Sequence, residues 1–223
     1  MDSFRFKKLA LKDLPLLHRW YNSDHVQAWY ANGKLEYDAL EDKYRQYIRQ
    51  QGGCAIYGFV CYHNKQPIGY IQYYSIKRHQ WLDVDLSFYL DHAAGIDVFI
   101  GEKDKIGQGL GKKIIERFLS RRVFREFDYC FVDPQEGNHS AIACYKKCGF
   151  MHFGYAYSDD NQRHELFIKA KSSLKYLMNR KRDQTKPQNT GDEQNFIRKY
   201  ITDPYLNRWN KTKNHSAKAR KAT

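Results

Sequence analysis

An apolar run, Gly95-Ile96-Asp97-Val98-Phe99-Ile100-Gly101, is followed within a few residues by Gly107-Gln108-Gly109-Leu110-Gly111-Lys112-Lys113. From residue 110 to 124 the chain is amphipathic: Leu110, Ile114, Ile115, Phe118 and Leu119 share one helical face, with Lys112, Lys113, Glu116 and Arg117 largely on the other. Three alternate glycines between a strand and a helix restrict the fold more than any other feature. Unpaired amides at a helix N-terminus carry partial positive charge, and glycines let a ligand approach the backbone closely, so the unit is built to receive an anion. The spacing also limits which anion. Lys112 stands where GxGxxG needs its third glycine, and Lys113 stands where GxxxxGK[ST] needs the hydroxyl that holds magnesium. Dinucleotides and nucleoside triphosphates are therefore disfavoured. A pyrophosphate bound without metal and an ordinary glycine turn capping a helix remain as alternatives.

The surrounding pattern predicts an α/β domain over residues 1–170. Residues 4–10 alternate as a first strand, and Leu14, Leu16, Leu17 and Trp20 form a helical stripe with Pro15 in its first turn. Residues 36–50 predict a second helix, and the apolar runs 54–62 and 68–76, joined by 63–67, a hairpin. Strands are expected at 95–101, 128–132, 151–157 and 164–169, and helices at 110–124 and 138–148. Two strand–helix units after an antiparallel start argue for a mixed sheet with helices on both faces. Hydrophobic residues at 42% and aromatic residues at 16% suit a packed core of this size.

The net charge of +13 belongs mainly to the end of the chain. Residues 1–170 hold 24 Lys and Arg against 21 Asp and Glu, whereas 171–223 hold 14 against 4. Residues 171–223 thus read as a basic extension: a linker at 181–193, a short helix within 194–210 and a disordered end. Lys and Arg interspersed with Tyr200, Tyr205 and Trp209 could neutralise nucleic-acid phosphates, and a solubilising extension is the favoured alternative. The five cysteines form no CxxC pair and read as reduced structural thiols, not metal ligands. With no signal peptide and no apolar run of membrane-spanning length, a cytoplasmic protein is expected.

The segment Asn138-His139-Ser140-Ala141-Ile142-Ala143-Cys144-Tyr145-Lys146-Lys147-Cys148-Gly149-Phe150 resembles the N-x-x-A-x-x-x-Y-x-x-x-G-F signature of the GNAT acetyltransferase superfamily. The strand, glycine loop and helix precede it in the family's order, and the resemblance spans roughly residues 3–170. It implies the GNAT fold, a mostly antiparallel sheet with one splayed parallel strand pair, and acetyl-coenzyme A as the acetyl donor. The loop from Ile106 to Lys112 (Gln108, Gly109, Leu110, Gly111 and Lys112 above all) would hold the coenzyme's pyrophosphate. The backbone of Val98, Phe99 and Ile100 would hold its arm, and Asn138 would help. Tyr145 would protonate the departing thiolate, unless it is simply a packed core tyrosine. Ile106 departs from the family, where Arg or Gln is common.

Acetyl transfer to nitrogen needs a neutral amine held near the thioester, and a carboxylate can collect the ammonium and take up its proton. Asp97, alone in an apolar strand, is costly to bury unless paired and is the best candidate. Its segment, with Trp20-Tyr21-Asn22, Val26-Gln27-Ala28-Trp29-Tyr30, residues 67–74 and Asp133-Pro134, is similar to the aminoglycoside 6′-N-acetyltransferases, whose subgroup includes siderophore-pathway enzymes acting on an N-hydroxylysine. That resemblance implies that Asp97 meets the reactive amine, that Asp133 binds a second ammonium, and that Trp29 and Tyr30 line the pocket. It points to a small polycationic amine as substrate, with Asp83, Asp85, Asp159 and Asp160 as looser candidates. A siderophore-type acceptor and a ribosome- or RNA-associated amine are the alternatives, and either a monomer or a homodimer is compatible. The stretch 77–94, basic and then apolar, departs from the aminoglycoside enzymes, which tend to be acidic there.

Overall fold

The computed structural model describes residues 3–172, apart from 31–33, 80–83 and 159–160. The part of the basic extension from residue 173 onward, with its linker and helix at 181–210, lies outside the described residues, as do Asp83, Asp159 and Asp160.

Seven strands form one sheet in the order β1-β2-β3-β4-β5-β7-β6. They are β1 (Phe4–Lys8), β2 (Ile56–His63), β3 (Gln66–Ser75), β4 (Ala93–Ile100), β5 (Tyr129–Val132), β6 (Met151–Tyr157) and β7 (Arg163–Ala170). Every neighbouring pair is antiparallel except β4 with β5. The helices are α1 (Leu14–Tyr21), α2 (Asp24–Tyr30), α3 (Tyr37–Arg49), α4 (Leu110–Phe118), α5 (Phe124–Glu126) and α6 (His139–Lys147).

Alternation along the central strands sorts the helices onto two faces. Phe59, Cys61, Ile71, Tyr73, Ala94 and Ile96 pack with α4 and α6. Val60, Tyr70 and Phe99 pack with α1, α2 and α3, where Leu14, Leu17, Trp20, Tyr21, Leu40 and Tyr44 are buried. The mixed sheet with helices on both faces is thus the observed architecture.

Three elements differ from the sequence expectation. The hairpin turn tightens to Asn64-Lys65, both left-handed at φ 47° and 71°, which matches the twist of the flanking strands. Pro67 then enters β3 opposite Tyr62, where the register shifts and a missing N–H costs the ladder little. The helix expected over 110–124 is interrupted: α4 passes through one wide π-helical turn, Leu119–Val123, before α5. That turn keeps Phe118, Leu119 and Val123 all in the core. Finally, α2 was not anticipated.

The feature that makes a site is the short contact between the two parallel strands. β4 meets β5 only at Ala93↔Tyr129, Ala94↔Cys130 and Gly95↔Phe131, while it stays paired to β3 as far as Ile100. Beyond Gly95 the two strands diverge, and a gap opens alongside Ile96 to Ile100.

Candidate active site

On one side of the gap lies the glycine loop. A 3-10 turn, Lys103–Lys105, leads through Ile106 into Gly107 and Gly109, whose φ values of 77° and 71° are left-handed. A residue with a Cβ pays about 1 kcal/mol or more for that conformation. A Cβ at either glycine would meet no atom within 4 Å, so the requirement is conformational and the loop surface is open. Gly109 is the N-cap of α4, and no side chain caps that helix. The first-turn amides therefore lack the side-chain acceptor that helix termini commonly recruit. The other helix at the gap is finished differently: Asn138 Oδ1 accepts the Ala141 N–H at 3.1 Å and closes the start of α6. The Asn138 carboxamide oxygen is thus already engaged.

The remaining loop positions divide by where their side chains go. Leu110 is buried and anchors α4, and the Gln108 carboxamide donates to the Asp104 carbonyl at 2.5 Å. Lys112 is exposed and 3.7 Å from Glu116. Ile106 is exposed and apolar where a charged or amide side chain would add a contact. Along β4, Val98 and Ile100 pack toward α4 and α6, whereas the Phe99 ring turns to the opposite face and meets Trp20, Tyr21, Tyr30 and Tyr70. The Ile100 carbonyl already has a partner in His25 Nε2, at 3.1 Å. An open helix N-terminus beside an unpaired strand edge fits a pyrophosphate followed by an amide-bearing arm.

On the opposite face, Asp97 follows directly on the divergence of β4 from β5. Register places it beside Gln72 of β3, whose Nε2 donates to Asp97 Oδ2 at 2.6 Å. Tyr70 Oη in turn donates to Gln72 Oε1 at 2.8 Å, so the carboxylate ends a three-residue chain. Among the described residues Gln72 is the only buried side chain that carries an amide or a charge. Burial pushes the Asp97 carboxyl above the usual carboxylate range, opposed by the Gln72 hydrogen bond and by the positive charge of Lys43. Gly95, one step back on this face, is crowded by the Tyr74 ring: a Cβ there would lie 2.5 Å from it.

Aromatic rings surround Asp97. Tyr21 and Tyr44 share a 2.5 Å hydroxyl contact, and Tyr30 packs edge-on against Tyr21 and Phe99. Trp29 is 45% exposed, and its ring edge lies 3.6 Å from where a Cβ on Gly137 would stand. α2 therefore reaches the loop after β5 and forms a rim. Tyr145 is buried on α6 against Phe150. Burial raises its phenol well above the ordinary value, and the charges of Asp97 and then Asp133 raise it further. Asp133 stands just beyond the end of β5, its carboxylate 3.8 Å from His164 Nδ1, which also contacts the Asp133 carbonyl at 2.6 Å. The same phenol senses Asp97 and Asp133 together, so the structure brings Asp97, Asp133, Tyr30 and Tyr145 into one neighbourhood.

Asp85 and the stretch 77–94 have contacts of their own. Asp85 is exposed, and its carboxylate accepts the Ser87 N–H at 3.0 Å, a local loop contact. The apolar part of 77–94 is accounted for by packing: Leu86 is buried with Phe131, Leu166 and Ile168, and Tyr89 meets Phe131 and Phe153. Sequence reasoning missed Lys43. This residue is exposed on α3, yet its ammonium lies 5.7 Å from the Tyr44 ring centroid and within the field of Asp97. Desolvation lowers its proton affinity, against the pull of that carboxylate. Alternation marked Asp97 as unusual, but nothing local linked it to a lysine more than fifty residues away.

A cavity of about 280 Å³ opens between α1 and the segment after β4, lined by Arg19, Trp20, Ser23, Asp24, His25 and Glu102. Within it Arg19 and Trp20 Nε1 both donate to the Glu102 carboxylate, at 2.5 and 2.9 Å. Among the described residues no helix is long and apolar enough to cross a membrane. Among them, too, no three His, Cys, Asp or Glu side chains converge as metal ligands would.

Comparison with known proteins agrees with this geometry. The acetyltransferase (GNAT) domain family matches residues 10–156. Among solved structures, the aminoglycoside acetyltransferase AAC(6′)-Ib in complex with coenzyme A and kanamycin superposes with a TM-score of 0.67 at 23% identity, over 78% of this chain and 98% of that one. An aminoglycoside N(6′)-acetyltransferase from Legionella pneumophila gives 0.61 at 24% identity, over 78% and 95%. Spermidine N-acetyltransferase from Vibrio cholerae, in complex with CoA and spermine, gives 0.59 at 20% identity, over 77% and 96%. At these identities the likeness is one of fold.

Proposed function

The chain belongs to the GNAT acetyltransferase family, whose members take the acetyl group from acetyl-coenzyme A, and from that premise we propose that it acetylates a primary amine of a small polycationic acceptor, an aminoglycoside 6′-amine first among them. The observation that carries this reading is the half-buried carboxylate of Asp97 close to the point where β4 leaves β5, with the Tyr145 phenol and a second carboxylate, Asp133, in the same neighbourhood.

Bound acetyl-coenzyme A supplies the thioester. Of this chain's own groups, the open amides of Gly111 and Lys112 and the backbone of Gln108 to Leu110 would receive the pyrophosphate, and the backbone of Val98 to Ile100, on the side of β4 that β5 has left, would align the arm. Asp97 would draw in the acceptor's ammonium and take its proton; burial makes this carboxylate more basic than usual and so better matched to an amine. Tyr145, held neutral by burial and two nearby acids, would give a proton to the departing thiolate. Asp133 would hold a second ammonium, with Trp29 at the rim.

A linear polyamine is the second reading. Tyr21, Tyr30, Tyr44, Tyr70 and Phe99 cluster on the Asp97 face of the sheet, and ring faces stabilise alkylammonium groups. Thiol release from acetyl-coenzyme A, measured with kanamycin-type aminoglycosides, spermidine, N-hydroxylysine and N-terminal peptides, separates these readings. Turnover of kanamycin above spermidine supports the first, and the reverse order supports the second. Turnover of peptides alone would sink both. The basic extension has a separate test: salt-sensitive RNA binding that is lost on deleting 173–223 would favour an RNA-associated amine.

A further inference from the structure

Among the described residues one buried side-chain polar atom has no hydrogen-bond partner, and it is the hydroxyl of Tyr30. An unpaired buried hydroxyl costs the folded protein on the order of 1–3 kcal/mol, so such atoms are uncommon unless something else completes them. The neighbouring phenols differ in this respect. Tyr21 and Tyr44 pair with each other at 2.5 Å, and Tyr70 donates to Gln72. Tyr30, in the same aromatic cluster, pairs with nothing.

Its position is well defined. Tyr30 is the last residue of α2, and its ring is held edge-on by Phe99 at 5.0 Å and by Tyr21 at 5.8 Å between centroids. Phe99 is two residues from Asp97 on the same strand, so the two side chains share a face. The Tyr30 phenol senses Asp97 and Tyr145 as well as Tyr21 and Tyr70. It therefore lies in the neighbourhood of the carboxylate and the phenol to which proton transfer is assigned above. Burial, reinforced by Asp97, keeps it in the O–H form.

We propose that the Tyr30 hydroxyl is completed by the acceptor: its oxygen accepts an N–H of the incoming primary ammonium while Asp97 accepts another. The inference rests on the reading of this recess as the acceptor site and deepens it. A primary ammonium has three N–H groups. Asp97 takes the proton of the N–H it accepts, and the hydrogen bond to Tyr30 fixes the orientation of the neutral amine that remains. The contact also selects primary over tertiary amines, which lack a second N–H. The aromatic wall lines the site, and the hydroxyl orients what enters it.

Tyr30→Phe tests this because a structural hydroxyl and an acceptor-completed one move two measurements in opposite ways. In the free full-length protein, removing an orphaned polar atom is expected to leave the melting temperature unchanged or raise it. With acceptor, KM rises about ten-fold or more, as expected for losing a hydrogen bond to a charged group, and the Kd of acetyl-coenzyme A stays as in the wild type. The melting shift induced by spermine or kanamycin in the presence of coenzyme A shrinks in parallel. A lowered melting temperature with unchanged acceptor KM would overturn the proposal, and so would equal acceptor-induced shifts in both proteins. Absence of thiol release by the wild type with every amine tested would be a failure of the proposed function instead. Tyr30 would then be judged on the spermine and kanamycin shifts alone, and no shift in the wild type counts against it.

Discussion

The two sides of the splayed gap are built from different materials. The proposed coenzyme side is mostly main chain: two left-handed glycines, an uncapped helix start and a strand edge that has lost its neighbour. The proposed acceptor side is mostly side chains: Asp97 held by Gln72 and Tyr70, near aromatic residues and under the charge of Lys43. Main-chain recognition tolerates substitution, because amides are present whatever the sequence. Side-chain recognition fails when one group is changed. The acceptor side is therefore where single substitutions should hurt most.

The sharpest test is Asp97→Asn. An asparagine can still accept from Gln72 but neither attracts an ammonium nor takes its proton, so kcat/KM for the amine should fall by about 10²- to 10⁴-fold. The buried charge disappears at the same time. Because the folded protein raises the Asp97 pKa, the wild type loses stability as pH rises from the unfolded value through the folded one. The variant should consequently melt higher than the wild type at neutral pH, and the difference should vanish in acid. In the wild type the same shift sets the acid limb of activity: turnover should decline with falling pH while ordinary carboxylates are still ionised. Next in size, Tyr145→Phe should lower kcat by about 10²-fold with little change in the amine's KM, since it removes a proton donor and keeps the ring against Phe150.

On the main-chain side the expected losses are smaller and of another kind. Gly109→Ala forces a Cβ into a left-handed residue at a cost of roughly 1–2 kcal/mol. The melting temperature should drop by about 2–4 °C per kcal/mol for a domain of this size, and KM should rise for acetyl-coenzyme A but not for the amine. If the amine's KM rises instead, the division into two materials is wrong. The smallest effect is expected from Lys43→Ala. Removing a cation beside Asp97 should lower KM for polycationic acceptors a few-fold at low salt and less at high salt, and move the acid limb to higher pH. An increase in KM would mean that Lys43 binds substrate and does not repel it.

What was readable in the sequence follows the same division. The glycine loop and α4 were visible because a helix N-terminus is a local object whose glycines, apolar stripe and flanking strand lie within thirty residues. α3, the hairpin strands and the closing pair β6 and β7 were legible for the same reason. α2 was not: it buries only Val26, so it has no apolar stripe to detect, and its role as a rim depends on Trp29 meeting Gly137. The π-helical turn after α4 was equally invisible, because Phe118, Leu119 and Val123 fit an ordinary helix until the sheet demands that all three be buried.

For the site, local pattern singled out Asp97 as an acid in an apolar strand, and the motif at 138–150 singled out Tyr145. The sequence by itself determined the chemistry available: a phosphate-receiving loop, a buried acid and a phenol at a helical position, each a short-range pattern. Only the tertiary structure decided what that chemistry acts on together. Strand register set Gln72 against Asp97, helix packing brought Lys43 and Tyr30 to it, and divergence of β4 from β5 after Gly95 made the space. These contacts join residues tens of positions apart, and their energies come from burial and exclusion of water, which no stretch of sequence carries alone.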